Sequence, residues 1–159
     1  MTPAIDLVKK KRIKHILHEY HHEAGSSRIG ESYGLEAATK LGISTDQVFK
    51  TLVVILDSKE LAVAVIPASS KLSMKHIAKA AKAKKATMAD KQDVERSTGY
   101  VLGGVSPLGQ KKRLRTFIDS SAQDFETFFV SAGKRGLEIE MNSDDLSQLL
   151  SAQFTELKA

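Results

Sequence analysis

Apolar positions follow two spacings along this chain. Residues 51–56 and 61–66 are nearly continuous apolar, β-branched runs, the pattern of strands covered on both faces. Asp57-Ser-Lys-Glu60 lies between them as a short link, which predicts a hairpin at the centre of a sheet. Further strands are predicted over residues 15–22, 114–119, 126–131 and 137–141, with a last edge strand at Phe154. Helical spacing predicts a first helix over residues 3–12, capped by Thr2 and opened by Pro3, with Ile5 and Val8 on its inner face. Leu35, Ala38 and Leu41 mark a second helix that stops at Gly42. A third covers residues 72–84 with Leu72, Ile77, Ala80 and Ala81 inward, and a fourth starts near Ala89 with Asp90 as cap. Ser143 caps the last, which turns Leu146, Leu149 and Leu150 inward. Residues 25–34, polar and punctuated by glycine, read as a mobile loop. Adjacent strands among scattered helices give an α/β (α+β) domain with a mixed sheet.

Composition narrows the function. With 159 residues, 42% hydrophobic and 27% charged, the chain reads as one domain over residues 1–159 with a proper core. No apolar run is long enough to cross a bilayer and the start lacks the order of a signal peptide, so a cytoplasmic location without membrane contact is expected. There is no cysteine, which excludes disulfides, cysteine-ligated zinc and a thiol nucleophile from the protein. The formal charge of +5 is mild for a nucleic-acid binder, so the placement of charge matters more than its sum.

Charge and glycine concentrate in residues 99–113. Gly99, Gly103, Gly104 and Gly109 fall within eleven residues beside Pro107, and Lys111, Lys112, Arg113 and Arg115 follow. A backbone-lined cradle beside positive charge suits an anion such as a phosphate or a nucleic-acid end, while the plainer reading is an irregular surface loop. The segment is neither a Walker loop nor a dinucleotide-binding turn. Lys71, Lys75, Lys79 and Lys82 recur at helical spacing, either as a solvated face or as a stripe along a phosphate backbone. Lys50 stands at the entry of a core strand, where a lysine can simply reach back to water. His18-Glu-Tyr-His-His22 matches the His-Glu-x-x-His zinc motif in letters, but that motif works on a helix and this segment reads as a strand. Tyr20, at the strand's end, offers a flat apolar face and a hydroxyl to a pocket.

Several strings in order resemble the bacterial Cys-tRNA(Pro)/Cys-tRNA(Cys) deacylases of the YbaK type, relatives of the editing domain of prolyl-tRNA synthetases. They are the opening Met-Thr-Pro-Ala-Ile-Asp-Leu, Phe49-Lys-Thr-Leu52, Met88-Ala-Asp90, Ser97-Thr-Gly-Tyr100, Gly103-Gly-Val-Ser-Pro-Leu-Gly-Gln-Lys-Lys-Arg113 and Ser131-Ala-Gly-Lys-Arg-Gly136. The resemblance implies a mixed, partly barrel-like sheet flanked by helices, with the site at the sheet's mouth and no metal or other cofactor. It implies that Lys50 is indispensable. It also implies that the loop of Gly103, Gly104, Val105, Ser106 and Pro107 holds the terminal adenosine and the acyl carbonyl, with Tyr20 and Ser131 lining the same pocket.

The expected reaction is acyl transfer on an aminoacyl ester, with prolyl-tRNA synthetase as partner. The thiol of the substrate's own cysteine would attack the ester, an intramolecular step that starts with the advantage of proximity. Backbone N–H groups near Gly103 and Ser106 would face the oxyanion. Lys71, Lys75, Lys79, Lys111, Lys112 and Arg113 would grip tRNA backbone. Two rival readings stay open: a deacylase of Ala-tRNA(Pro) or another small aminoacyl-tRNA, and a tRNA- or nucleotide-binding module without turnover.

Overall fold

The computed structural model describes residues 1–22 and 30–159. Its chain begins with α1 (Pro3–Lys10), where the Thr2 hydroxyl accepts from the Ile5 N–H and the lysines of the last turn face the negative end of the helix. Ala4, Ile5 and Val8 are buried. β1 (His15–Glu19) follows as a strand, which denies His18 and His22 the helical spacing that the zinc motif needs. α2 (Gly30–Leu41) begins inside the stretch expected as a loop, whose residues 25–29 lie outside the described residues. The glycine there is a packing residue: a Cβ on Gly34 would come within 2.7 Å of the Ala68 Cβ.

The central hairpin is as expected. β2 (Phe49–Leu56) and β3 (Glu60–Pro67) pair antiparallel, and Asp57 and Ser58 turn the chain at positive φ. The Asp57 carboxylate accepts from the Lys84 and Lys85 N–H groups and ties the turn to the next strand. That strand, β4 (Ala86–Met88), pairs with residues 54–56 of β2. β5 (Arg115–Asp119) runs parallel to β3, and β8 (Gln153–Thr155) runs parallel to β5 at the edge. β6 (Phe128–Lys134) and β7 (Leu137–Met141) join β1 in a separate antiparallel sheet of order β1-β7-β6. The architecture is α+β with one mixed and one antiparallel sheet. Among the described residues the mixed strands fall into two sheets that do not close into a full barrel. They are stitched at a corner, where the Phe129 N–H donates to the Gln47 carbonyl at 3.0 Å and Val48 bridges Phe129.

Strand alternation sorts the core into layers. Phe49, Val53, Val63, Val65 and Ile118 pack against Phe128, Val130, Ile139 and Met141 of the smaller sheet, with α1 and Leu146 of α5 (Ser143–Leu150). On the other face Val54, Leu56, Ala64 and Ile66 meet Ile77 and Ala78 of α3 (Met74–Ala80). α3 is shorter than the predicted 72–84, because Ser73 caps its start and Lys82 is left-handed at φ 60°. Lys71 therefore precedes the helix and Lys82 follows it. The continuous lysine stripe reduces to Lys75 and Lys79. Asn142, not Ser143, caps α5 by accepting from the Asp144 and Asp145 N–H groups.

Candidate active site

The outer edge of β2 is covered at both ends and open between them. β6 reaches it at Val48, and β4 begins only at Val54. The Val53 carbonyl accepts from the Ala89 N–H on that edge, so by two-residue alternation the Thr51 backbone faces the same way, into the gap. A cavity of about 90 Å³ occupies this gap. Lys50, Thr51 and Leu52 form its floor, Gly103 and Val105 one wall, and Tyr20, Ser131 and Glu138 another. Sites for drug-sized ligands run to roughly 300–1,000 Å³, so this volume suits a small acyl group and not a whole nucleotide.

The glycine loop is held in shape by its own contacts. α4 (Lys91–Thr98) ends on Gly99 in the left-handed conformation, and the Tyr100 hydroxyl donates to the Leu108 carbonyl at 2.6 Å. Gly103 has φ 95°, and a Cβ there would lie 2.8 Å from the Tyr33 ring. Gly109 lets the loop sit on the first turn of α1, where a Cβ would meet the Pro3 carbonyl oxygen at 2.7 Å. Of the five loop residues singled out from the sequence, the structure brings Gly103 and Val105 to the cavity. Gly104, Ser106 and Pro107 do not line it. The Gly104 N–H is taken by the Val101 carbonyl, and the buried Ser106 hydroxyl accepts from the Leu108 N–H. These three shape the wall from within, so an oxyanion contact from the Gly104 N–H would need that turn to open.

Tyr20 lies just past β1 and is tied there by its N–H to the Gly136 carbonyl. Burial first, and the Glu138 carboxyl second, push its hydroxyl up to about 12, so it stays protonated and donates. Ser131 and Glu138 are cross-strand partners on β6 and β7. Glu138 is 6% exposed, and burial alone pushes its carboxyl up to about 8. His18 pairs with Glu138 in register, yet its ring bonds Glu140 at 2.9 Å and packs on Phe129. The Thr127 hydroxyl and His18 hold the Glu140 carboxyl below the usual range. No group of three or more His, Asp or Glu side chains with metal-ligand geometry occurs among the described residues.

α2 closes the cavity from above. Arg135, in the turn between β6 and β7, holds Glu36 with two hydrogen bonds of 2.9 and 2.8 Å and stacks over Tyr33 with 5.1 Å to the ring centroid. Tyr33 in turn leans on Gly103. Sequence reasoning missed Tyr33, Thr51 and Glu138. The alternation Leu-Glu-Ile-Glu-Met in β7 marks Glu138 as the polar side of a half-buried strand, and only α2 reveals that this side is covered. The basic residues stand apart from the cavity. Lys111, Lys112 and Arg113 are exposed at the end of the glycine loop, with Arg113 bonding the Ser151 hydroxyl. Lys75 and Lys79 are exposed along α3 and Lys71 just before it, on the face of β2 to which Lys50 belongs by alternation.

A two-sheet α+β fold with a lysine, several hydroxyls and a buried carboxyl around a small cavity defines a hydrolase-like site with neither thiol nor metal cluster among the described residues. The aminoacyl-tRNA editing domain matches residues 32–149, and the chain belongs to that family. It is 42% identical over 120 residues, 76% of this chain and 73% of the other, to an Enterococcus faecalis protein with the provisional name Cys-tRNA(Pro)/Cys-tRNA(Cys) deacylase EbsC. It is 27% identical over 113 residues, 71% of each chain, to the uncharacterized protein YwhH of Bacillus subtilis. Among solved structures it resembles one described, again provisionally, as a trans-editing enzyme for prolyl tRNA synthetase. That match has a TM-score of 0.80, 21% identity and coverage of 98% and 92%. The hypothetical protein APE2540 shares the fold at a TM-score of 0.85 and 20% identity, over 99% and 100%.

Proposed function

We propose that this chain deacylates mischarged Cys-tRNA(Pro), clearing cysteine from the terminal ribose. The observation that carries this reading is the convergence of Lys50, Gly103, Val105, Tyr20 and Ser131 on one acyl-sized cavity in a chain of the editing family. The deacylase name of the E. faecalis relative supports the same substrate. Among the described residues no histidine lines the cavity, and the Ser131 hydroxyl, which accepts from the Gly133 N–H, has no histidine bonded to it to act as base. The substrate thiol is then the nucleophile: sulfur bonds to the ester carbonyl carbon, the carbon–oxygen bond to ribose breaks, and the thiol proton ends on the ribose oxygen. The cyclic thioester released is hydrolysed by water.

In this scheme the chain supplies positioning and charge. Backbone N–H groups of the wall at Gly103 and Val105, and of Thr51 in the strand gap, face the developing oxyanion. Lys50 meets the ribose or the terminal phosphate. Lys111 and Lys112 beside the glycine loop, with Lys75 and Lys79 on α3 and Lys71 before it, contact the tRNA backbone without reading sequence. Weak discrimination among tRNAs would leave selection to prolyl-tRNA synthetase as partner. The test is the decay of Cys-tRNA(Pro) and Ala-tRNA(Pro) with the wild type and Lys50→Ala. Loss of the cysteinyl ester alone, abolished in the variant, is the expected result. Clearance of the alanyl ester would place water as nucleophile, and clearance of neither would leave a binding module.

A further inference from the structure

Two polar groups in the cavity are left over by the chemistry above. The Thr51 hydroxyl is fully buried and has no hydrogen-bond partner. The Glu138 carboxyl lines the same cavity, and burial there disfavours its charged form. A folded protein rarely leaves such a hydroxyl unsatisfied, and with a buried carboxyl in the same small cavity it describes a missing ligand group. Both can accept a hydrogen bond. What completes them is a compact donor with several N–H bonds, whose positive charge would draw the proton off Glu138 and pair with the carboxylate.

An aminoacyl ester carries such a group. Its α-ammonium lies one carbon from the ester carbonyl, so a carbonyl facing Gly103 and Val105 leaves the ammonium within the same cavity. Lys50 repels an ammonium, which drives it toward the wall of Glu138. We infer that Thr51 and Glu138 form the site for the free α-amino group of the acyl moiety, and that this makes the protein selective against N-acylated esters. The inference rests on the deacylase reading and narrows it. Esters whose amine is free, as in a newly charged tRNA, are cleared. Esters whose amine is blocked, as in a tRNA carrying a formylated residue or a peptide, are spared. An amide nitrogen carries no positive charge and keeps a single N–H, and the added acyl group has no room in about 90 Å³.

The experiment compares Cys-tRNA(Pro) with its N-acetyl derivative, on wild type, Glu138→Gln and Thr51→Val, at one pH and salt. The wild type is expected to prefer the free amine in kcat/KM by about a hundredfold, the upper range for losing a charge-assisted hydrogen bond plus the steric exclusion. Glu138→Gln should shrink that preference by about ten- to a hundredfold, and Thr51→Val, which keeps the shape, by about threefold. A wild type that clears both esters equally overturns the inference. So does a Glu138→Gln enzyme that slows on both esters while the preference stays, because Glu138 would then serve the reaction itself or the fold. A wild type that clears neither ester overturns the deacylase reading beneath it. Urea unfolding of each variant separates loss of preference from loss of structure.

Discussion

Glu138→Gln has a consequence for stability that can be worked out from burial alone. The Glu138 carboxyl has its ordinary value at 4.5 in the unfolded chain and is pushed up to about 8 in the folded one by removal from water. Between those values the folded state holds a proton that the unfolded state has released. Stability is therefore complete below 4.5, falls as the pH rises, and has lost its full increment above about 8. At about 1.4 kcal/mol per pH unit the interval gives a ceiling of about 5 kcal/mol, less whatever water entering the cavity relieves. Glutamine has the same shape and no charge, so the variant escapes this loss. Urea unfolding at pH 5, 6.5 and 8.5 is the assay, read as the difference in unfolding free energy between variant and wild type. The variant should nearly match the wild type at pH 5 and exceed it by about 2–5 kcal/mol at pH 8.5. A difference that stays constant across the three pH values would refute the reasoning, since Glu138 would then ionise normally in the fold.

Other expectations follow from single contacts. Thr51→Val removes an unsatisfied buried hydroxyl while keeping a β-branched side chain in a strand, so the ligand-free protein should gain about 1 kcal/mol in urea unfolding. Gly103→Ala places a Cβ 2.8 Å from the Tyr33 ring at positive φ, which should displace the cavity wall, cost about 1–2 kcal/mol and raise KM for the aminoacyl-tRNA. Gly109→Ala instead drives a Cβ into the Pro3 backbone, away from the cavity, and should lower the melting temperature more than Gly103→Ala does. Neutralising Lys111 and Lys112 together should flatten the salt dependence of kcat/KM by about two phosphate contacts, and leave the rate at saturating substrate unchanged.

Where one physical signal decided an element, the sequence already held it. The apolar runs of β2 and β3 could only be covered strands, and the four residues between them could only be a tight link. The cap at Thr2 and the left-handed stop at Gly42 follow from backbone groups seeking partners at helix ends. Expectations failed where distant chain overrode local pattern. Gly34 reads as a loop residue until Ala68 is seen against it, and Asn142 competes with Ser143 for the same two N–H groups. The division into two sheets depends on β6 meeting β2 at a corner, a pairing across some 80 residues that periodicity does not carry.

The site divides along the same line. Lys50, Tyr20, Gly103 and Ser131 stand in unusual strings and could be singled out by type and place. Glu138 and Thr51 could not, because each sits in a strand whose pattern is satisfied without them. A threonine in a β-branched run and a glutamate on the polar side of an alternating strand are both ordinary. What makes them unusual is the break in pairing along β2 between Val48 and Val54, which opens a hole in a sheet where neighbouring strands would otherwise have closed it. A sheet edge left open inside a core exposes backbone groups, and burying side-chain acceptors around it adds a further cost in stability. The fold tolerates that cost because Arg135 and Glu36 clamp α2 over the opening, holding Tyr33 against Gly103. Residues that look structural in the sequence, an Arg-Gly turn and a helical glutamate, thereby fix the width of the cavity. Loosening that clamp with Arg135→Lys should widen acceptance toward larger acyl groups, with no loss of contact to the reacting ester. An enzyme that keeps its acyl selectivity in that variant would show that the loop at Gly103 sets the width by itself.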